Sequence, residues 1–104
     1  YLAQKVSELR LFNDKQNKMN LSLLDISGSV LVISQFTLCA DTRKGRRPSF
    51  ANAESPELSK KLYNKFISCL ADKGLEVQSG EFGSNMDVKL VNNGPVTFVL
   101  DSED

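Results

Sequence analysis

The chain has no histidine among its 104 residues. That gap removes the commonest general base, the Ser-His-Asp and Cys-His arrangements, and the commonest zinc ligand. If the chain catalyses a reaction, its proton chemistry must come from carboxylates, hydroxyls, backbone groups or the substrate. Cysteine is scarce as well. Cys39 and Cys69 are the only two, they lack metal-ligand spacing, and they read as free thiols of a reducing cytosol. No apolar run approaches the ~20 residues of a membrane span. There is no paired-carboxylate glycosidase pattern, no phosphate-binding glycine motif, no repeat and no low-complexity tract. Neither a metal nor a cofactor is expected. Formal net charge is zero, so no global field recruits nucleic acid.

What is present fits one soluble domain spanning residues 1–104: 40% apolar and 25% charged residues are ordinary for a globular chain of this length. The opening Tyr1-Leu2-Ala3-Gln4-Lys5 reads as helix, not as a secretory leader. An opening inside an element, without an initiator Met, suggests that an N-terminal portion precedes Tyr1. Leu2, Val6 and Leu9 recur at helical spacing, with Lys5, Glu8 and Arg10 between them, so the first helix is expected over 2–12. Asn13 to Asn17 is a polar turn and Leu21, Leu23 and Leu24 a short strand. Ser27-Gly28-Ser29 then leads into a longer strand, 30–38, as a hairpin would.

Residues 41–54 read as a polar loop. Ser55-Pro56-Glu57 is a strong helix start: a capping hydroxyl, a proline at the first helical position and an acid at the positive end of the dipole. Leu58, Leu62, Phe66, Cys69 and Leu70 are expected on its buried face, and Gly74 at its end. Strands are expected at 75–79, 86–91 and 96–101. The order of elements is that of an α+β domain.

Two stretches interrupt apolar strands with small polar groups or unusual backbone. Ser34-Gln35-Phe36-Thr37-Leu38 follows the apolar run Val30 to Ile33. Asn93-Gly94-Pro95-Val96-Thr97 separates Leu90-Val91 from Phe98-Val99-Leu100. The first can be a strand leaving the core with its hydroxyls on neighbouring backbone, or a site. A nucleophilic Thr37 would need a base that the chain lacks. Turn chemistry alone accounts for Gly94-Pro95, and only ~5% of X-Pro bonds in folded proteins are cis, so these residues by themselves read as a trans turn. Arg43, Lys44, Arg46 and Arg47 form a local basic loop, either solvated or in contact with phosphate. Met86 reads as core or as pocket lining.

Four segments, Ser34-Gln35-Phe36-Thr37-Leu38, Lys44-Gly45-Arg46-Arg47-Pro48-Ser49-Phe50, Phe82-Gly83-Ser84-Asn85-Met86 and Asn93-Gly94-Pro95-Val96-Thr97, together resemble the signature segments of D-aminoacyl-tRNA deacylases, in order and spacing, from Tyr1 to Ser102. The resemblance implies a mainly β, barrel-like core with two helices. It also implies that family members carry further strands ahead of the helix that opens this chain, including an Arg that helps hold the Gly-Pro segment.

The implied activity is hydrolysis of the ester joining a D-amino acid, or glycine, to tRNA in the cytoplasm, by a homodimer with its sites at the interface. Backbone N–H groups near Phe36 and Thr37 would polarise the ester carbonyl, Ser34 and Gln35 would order the pocket, and Met86 would line the adenosine site. Gly94-Pro95 would be cis and hold the substrate amine in the partner subunit's site. Arg43, Lys44, Arg46 and Arg47 are the candidates for tRNA phosphate.

Two other classes remain open on the residues: a non-catalytic RNA-binding module using the basic loop, and an interaction domain whose edge strand pairs with a partner. The 6 Phe and 2 Tyr show no paired exposed set of the kind such RNA modules place on a sheet face.

Overall fold

A computed structural model describes residues 1–104. The elements run α1 (Leu2–Glu8), β1 (Arg10–Asn13), β2 (Met19–Ser22), β3 (Ser29–Val32), a 3₁₀ turn (Phe36–Cys39), α2 (Pro56–Asp72) and β4 (Glu76–Ser79). This is a mixed α and β chain with two helices, in which β1 pairs antiparallel with β2 and β3 pairs parallel with β4.

The first helix is shorter than its periodicity suggests. It stops at Glu8, and residues 10–13 are strand. The β1–β2 turn supplies the reason. Asp14 Oδ1 accepts from the backbone N–H groups of Gln16 (2.8 Å) and Lys18 (3.1 Å), and Asn17 adopts a positive φ of 59°. This is an Asx-type turn, which pulls Leu11 and Phe12 into a hairpin. The hairpin is therefore β1–β2, not the expected pairing of 21–24 with 30–38. Ser22 and Asp25 close the exit from β2: Asp25 accepts from the Ser22 amide (2.8 Å), and Ser22 Oγ accepts from the Asp25 amide (3.0 Å).

Helix α2 follows its sequence signals closely. Ser55 Oγ accepts from the Leu58 amide at 3.4 Å, Pro56 opens the helix, and Gly74 takes φ +86° just beyond it. Its buried stripe differs from the expected one. Tyr63, Phe66, Ile67, Cys69 and Leu70 pack on the core, whereas Leu58 and Leu62 are 43% and 56% exposed. Tyr63, Phe66, Ile67 and Leu70 stand at i, i+3, i+4 and i+7, the spacing of one helical face. On α1 the buried residues are small ones, Ala3 and the fully buried Ser7, which allow close approach to α2. Ser7 Oγ donates to the Gln4 carbonyl at 2.8 Å, so its burial leaves no hydroxyl unpaired.

The core is small. Ala3, Leu23, Val32, Leu70 and Leu75 form its buried cluster, and the molecule is elongated, 49 × 29 × 28 Å. The parallel β3–β4 pair, joined through α2, is its centre. Strand β3 ends at Val32, not at Leu38: the chain turns out of the sheet, and 36–39 winds into the 3₁₀ turn. Residues 86–91 and 96–101, expected as strands, form no ladder within this chain. Leu90, Val91 and Val99 accordingly stand 72%, 92% and 93% exposed. No helix is long and apolar enough to cross a membrane.

Candidate functional site

The parallel pair β3–β4 ends with Val32 opposite Ser79. One further bond, Gly80 N–H to the Val32 carbonyl at 3.2 Å, extends the pairing, and then the two chains part. The β3 side runs into Ser34–Cys39, and the β4 side into Phe82–Met86. The fork between them, floored by the first turns of α2, is an open groove of about 780 Å³. Ser34, Gln35, Phe36, Thr37, Cys39, Phe82 and Met86 line it, together with Glu54, Ser59 and Tyr63. Two of the four signature-like segments thus meet in one place, although the sequence separates them by the whole of α2.

Each wall has a local cause. Gln35 is extended (φ −152°, ψ 90°), and the chain then tightens to 3₁₀ geometry. The amides of Phe36 and Thr37, the first two of that turn, make no hydrogen bond within the chain, whereas Leu38 N–H donates to the Gln35 carbonyl and Ala40 N–H to the Thr37 carbonyl. Gln35 Nε2 donates to the Thr37 hydroxyl. On the opposite wall Met86 folds over Gly80. A Cβ placed on Gly80 would lie 2.5 Å from Met86 Sδ and 3.2 Å from Ile33 Cδ1, so the missing side chain makes room for the thioether.

The basic loop adjoins the groove. Its two ends are tied by reciprocal backbone bonds between Asp41 and Ser49 (2.7 and 2.9 Å). The next residue, Phe50, packs edge-on against Phe36 with ring centroids 5.1 Å apart. Within the loop, Arg43 is already engaged: its Nε (3.0 Å) and Nη2 (2.7 Å) both donate to the Asp41 carboxylate. That side-chain pairing, helped by the Arg43 amide, holds the Asp41 carboxyl below its ordinary value and raises the Arg43 guanidinium above its own. Lys44, Arg46 and Arg47 form no ion pair, so they are the free cations of the loop.

Gly94-Pro95 lies outside the groove lining of its own chain. The Gly94–Pro95 peptide bond is cis, and Asn92 Nδ2 donates to the Thr97 hydroxyl (3.0 Å) across the turn. The structure therefore brings together Ser34, Gln35, Phe36, Thr37 and Met86, sets the Arg43–Arg47 loop beside them, and leaves Gly94 and Pro95 elsewhere on the surface. Sequence reasoning passed over Tyr63, Glu54 and Ser59. Tyr63 had a signal: a hydroxyl on an otherwise apolar helical stripe needs a buried partner.

Fold and groove define a known class of domain. A solved structure, that of a c-Myc DNA unwinding element binding protein, superposes with a TM-score of 0.85 at 35% identity, over 97% of this chain and 69% of that one. The family model described as D-Tyr-tRNA(Tyr) deacylase matches residues 1–101, and the chain belongs to that family. Its relatives include proteins named D-aminoacyl-tRNA deacylase from Thermosipho africanus (54% identical over 99% of this chain and 69% of that protein) and Bacillus licheniformis (56% over 99% and 70%). A Bacillus subtilis relative, 53% identical over 99% of this chain and 78% of its own length, is named an inactive D-aminoacyl-tRNA deacylase.

Proposed function

We propose that the protein hydrolyses the ester of D-aminoacyl-tRNA, and of glycyl-tRNA, to free amino acid and tRNA. The observation that carries this reading is that Phe36 and Thr37, whose amides make no hydrogen bond within the chain, share one groove with Met86 in a chain without histidine. An aminoacyl ester suits such a site, because it is already activated and demands little beyond positioning and an oxyanion site. Water adds to the ester carbonyl carbon, and the oxyanion is held by the Phe36 and Thr37 amides. The bond to the ribose oxygen then breaks, and the proton lost by the water ends on that oxygen. The neighbouring ribose 2′-hydroxyl assists the water, which makes a histidine unnecessary. Ser34 and Gln35 order this wall, and Met86 receives the adenosine.

Selection against L-amino acids is assigned to Gly94-Pro95, whose carbonyls hold the substrate amine in the site of a partner subunit. A rigid backbone clamp leaves no room for an L side chain and ignores a D one. The position of Gly94-Pro95 outside its own groove supports a homodimer. In the dimer of the full family domain, residues 86–91 and 96–101 take their place in a barrel-like sheet. The loop cations Lys44, Arg46 and Arg47, with Arg43 beside them, contact tRNA phosphate, and the enzyme works in the cytoplasm on charged tRNA.

With one relative named inactive, activity has to be measured and not inherited. Purified protein is incubated with D-aminoacyl-tRNA, and free amino acid is followed over time. Release above the spontaneous rate supports the reading. Binding of tRNA without release would make the chain an RNA-binding module instead.

A further inference from the structure

Of the α2 side chains that line the groove, Tyr63 alone hydrogen-bonds to both sides of its fork. The Tyr63 hydroxyl donates to the Val32 carbonyl at 3.1 Å and to the Gly80 carbonyl at 3.3 Å, sharing its proton between them. Those carbonyls belong to the last residue of β3 and to the residue just past β4. The Val32 carbonyl also accepts from the Gly80 amide. The tyrosine hydroxyl therefore caps the final rung of the parallel ladder, at the point where the two strands stop being neighbours. The Tyr63 ring meanwhile packs against Phe82 on the far wall, with centroids 5.6 Å apart and planes tilted by 42°. Val32 is two residues from Ser34, and Gly80 is two residues from Phe82. No other side chain hydrogen-bonds to both strand ends.

We propose that Tyr63 is a positioning residue for the groove: its hydroxyl pins the Val32 and Gly80 carbonyls and so fixes the spacing between the Ser34–Cys39 wall and the Phe82–Met86 wall. The kinetic part of this inference rests on the deacylase reading. The two walls hold different parts of one substrate, the ester at the Phe36 and Thr37 amides and the adenosine at Met86. A loosened fork still binds adenosine on one wall and tRNA phosphate at the loop. It no longer presents the ester carbonyl to the amides at hydrogen-bonding distance. The loss falls on the chemical step, with binding spared.

The test uses Tyr63→Phe in the full-length protein, since phenylalanine keeps the ring on Phe82 and removes only the hydroxyl. Hydrogen exchange at the Gly80 amide reads the fork directly and needs no activity. We expect that amide to exchange about tenfold faster while amides in the middle of α2 keep their rates. With D-aminoacyl-tRNA we expect kcat to fall about tenfold and KM to stay within about twofold. Replacing Tyr63 with 4-aminophenylalanine, which can donate to both carbonyls, should restore both quantities.

Unchanged exchange at Gly80 overturns the proposal, whatever the activity. So does a uniform rise in exchange along α2 that 4-aminophenylalanine does not reverse, which would make the hydroxyl a plain stability contact. If the wild type releases no amino acid while Gly80 exchange responds as expected, the deacylase reading fails and the positioning role stands.

Discussion

Gln35 reaches over Phe36 to donate its Nε2 proton to the Thr37 hydroxyl, so the one threonine of the candidate site is a hydrogen-bond acceptor of its neighbour. A hydroxyl nucleophile needs a base to take its proton, and Thr37 faces an amide donor instead. Gln35 therefore ties this wall together and offers Thr37 no base.

The first prediction follows from that pair. Thr37→Ala should keep deacylation within about tenfold of wild type, because the Phe36 and Thr37 amides survive the substitution. Loss of a true nucleophile costs on the order of a million-fold in kcat. Initial rates on one D-aminoacyl-tRNA decide between these outcomes. Complete loss with fold and tRNA binding intact would make Thr37 the nucleophile.

The basic loop gives a prediction that distinguishes its cations. Arg43 is committed to Asp41, whereas Lys44, Arg46 and Arg47 are free. Replacing Arg46 and Arg47 with glutamine should weaken tRNA binding and flatten its salt dependence by about 0.7 to 0.9 log units for each phosphate that is no longer neutralised. Arg43→Gln should change the slope by less than half as much. Filter binding across a salt series measures both. Equal slopes for all variants would assign the loop to structure alone.

Acid should loosen the turns before the core. Asp14 lies below its ordinary value of 3.8 because the Lys18 and Gln16 N–H groups, with the Asn20 amide, bond its charged form. Asp25 is lowered by Ser22, and Asp41 by Arg43. A carboxyl whose folded pKa lies below its unfolded one adds stability that is full above the unfolded value. That stability is lost as pH falls through 3.8 towards the folded value. Denaturation midpoints should therefore be flat near neutrality and decline below about pH 4. Asp14→Asn, whose amide oxygen can accept the same N–H bonds without titrating, should decline less steeply over that range. Parallel curves would remove Asp14 from the account.

Local signals were legible and distant pairing was not. The start of α2 at Ser55-Pro56 and the turn beyond it at Gly74 are fixed by residues within one helical turn. The β3–β4 pair is parallel, and its partners lie on either side of that 17-residue helix, a separation no local pattern encodes. The strand read over 30–38 stops at Val32, and its polar half turns away to line the groove. Residues 10–12 read as helix because the spacing of Leu2, Val6 and Leu9 runs on into them, until the Asp14 turn overrides it. Ser34 to Thr37 stand out in the sequence as a polar interruption of an apolar run, and the roles expected of them and of Met86 come from the resemblance to a family. Tyr63, whose role depends on two carbonyls from separate strands, was not visible by that route.

Chiral selection is the sharpest consequence of the proposed clamp. Discrimination by exclusion requires that D-aminoacyl-tRNA and glycyl-tRNA be cleaved and that the L ester be spared. It also requires little dependence on side-chain size among D substrates, whose side chains leave the pocket. A methyl group added at Gly94 would collide with the backbone nitrogen of Val96 and come within 3.1 Å of Asn92 Oδ1. Gly94→Ala must therefore shift backbone that cannot easily yield, displacing the carbonyls assigned to the substrate amine. Activity on D and glycyl esters should fall together, by about a hundredfold for a displacement near 1 Å, with no gain on the L ester. Initial rates for matched D, L and glycyl esters on one tRNA, with wild-type and variant protein, measure this. Comparable D and L rates in the wild type would replace the clamp with a generic esterase. Gain of L activity in Gly94→Ala would show that selection depends on the fit of a flexible wall and not on the rigid backbone of Gly94-Pro95.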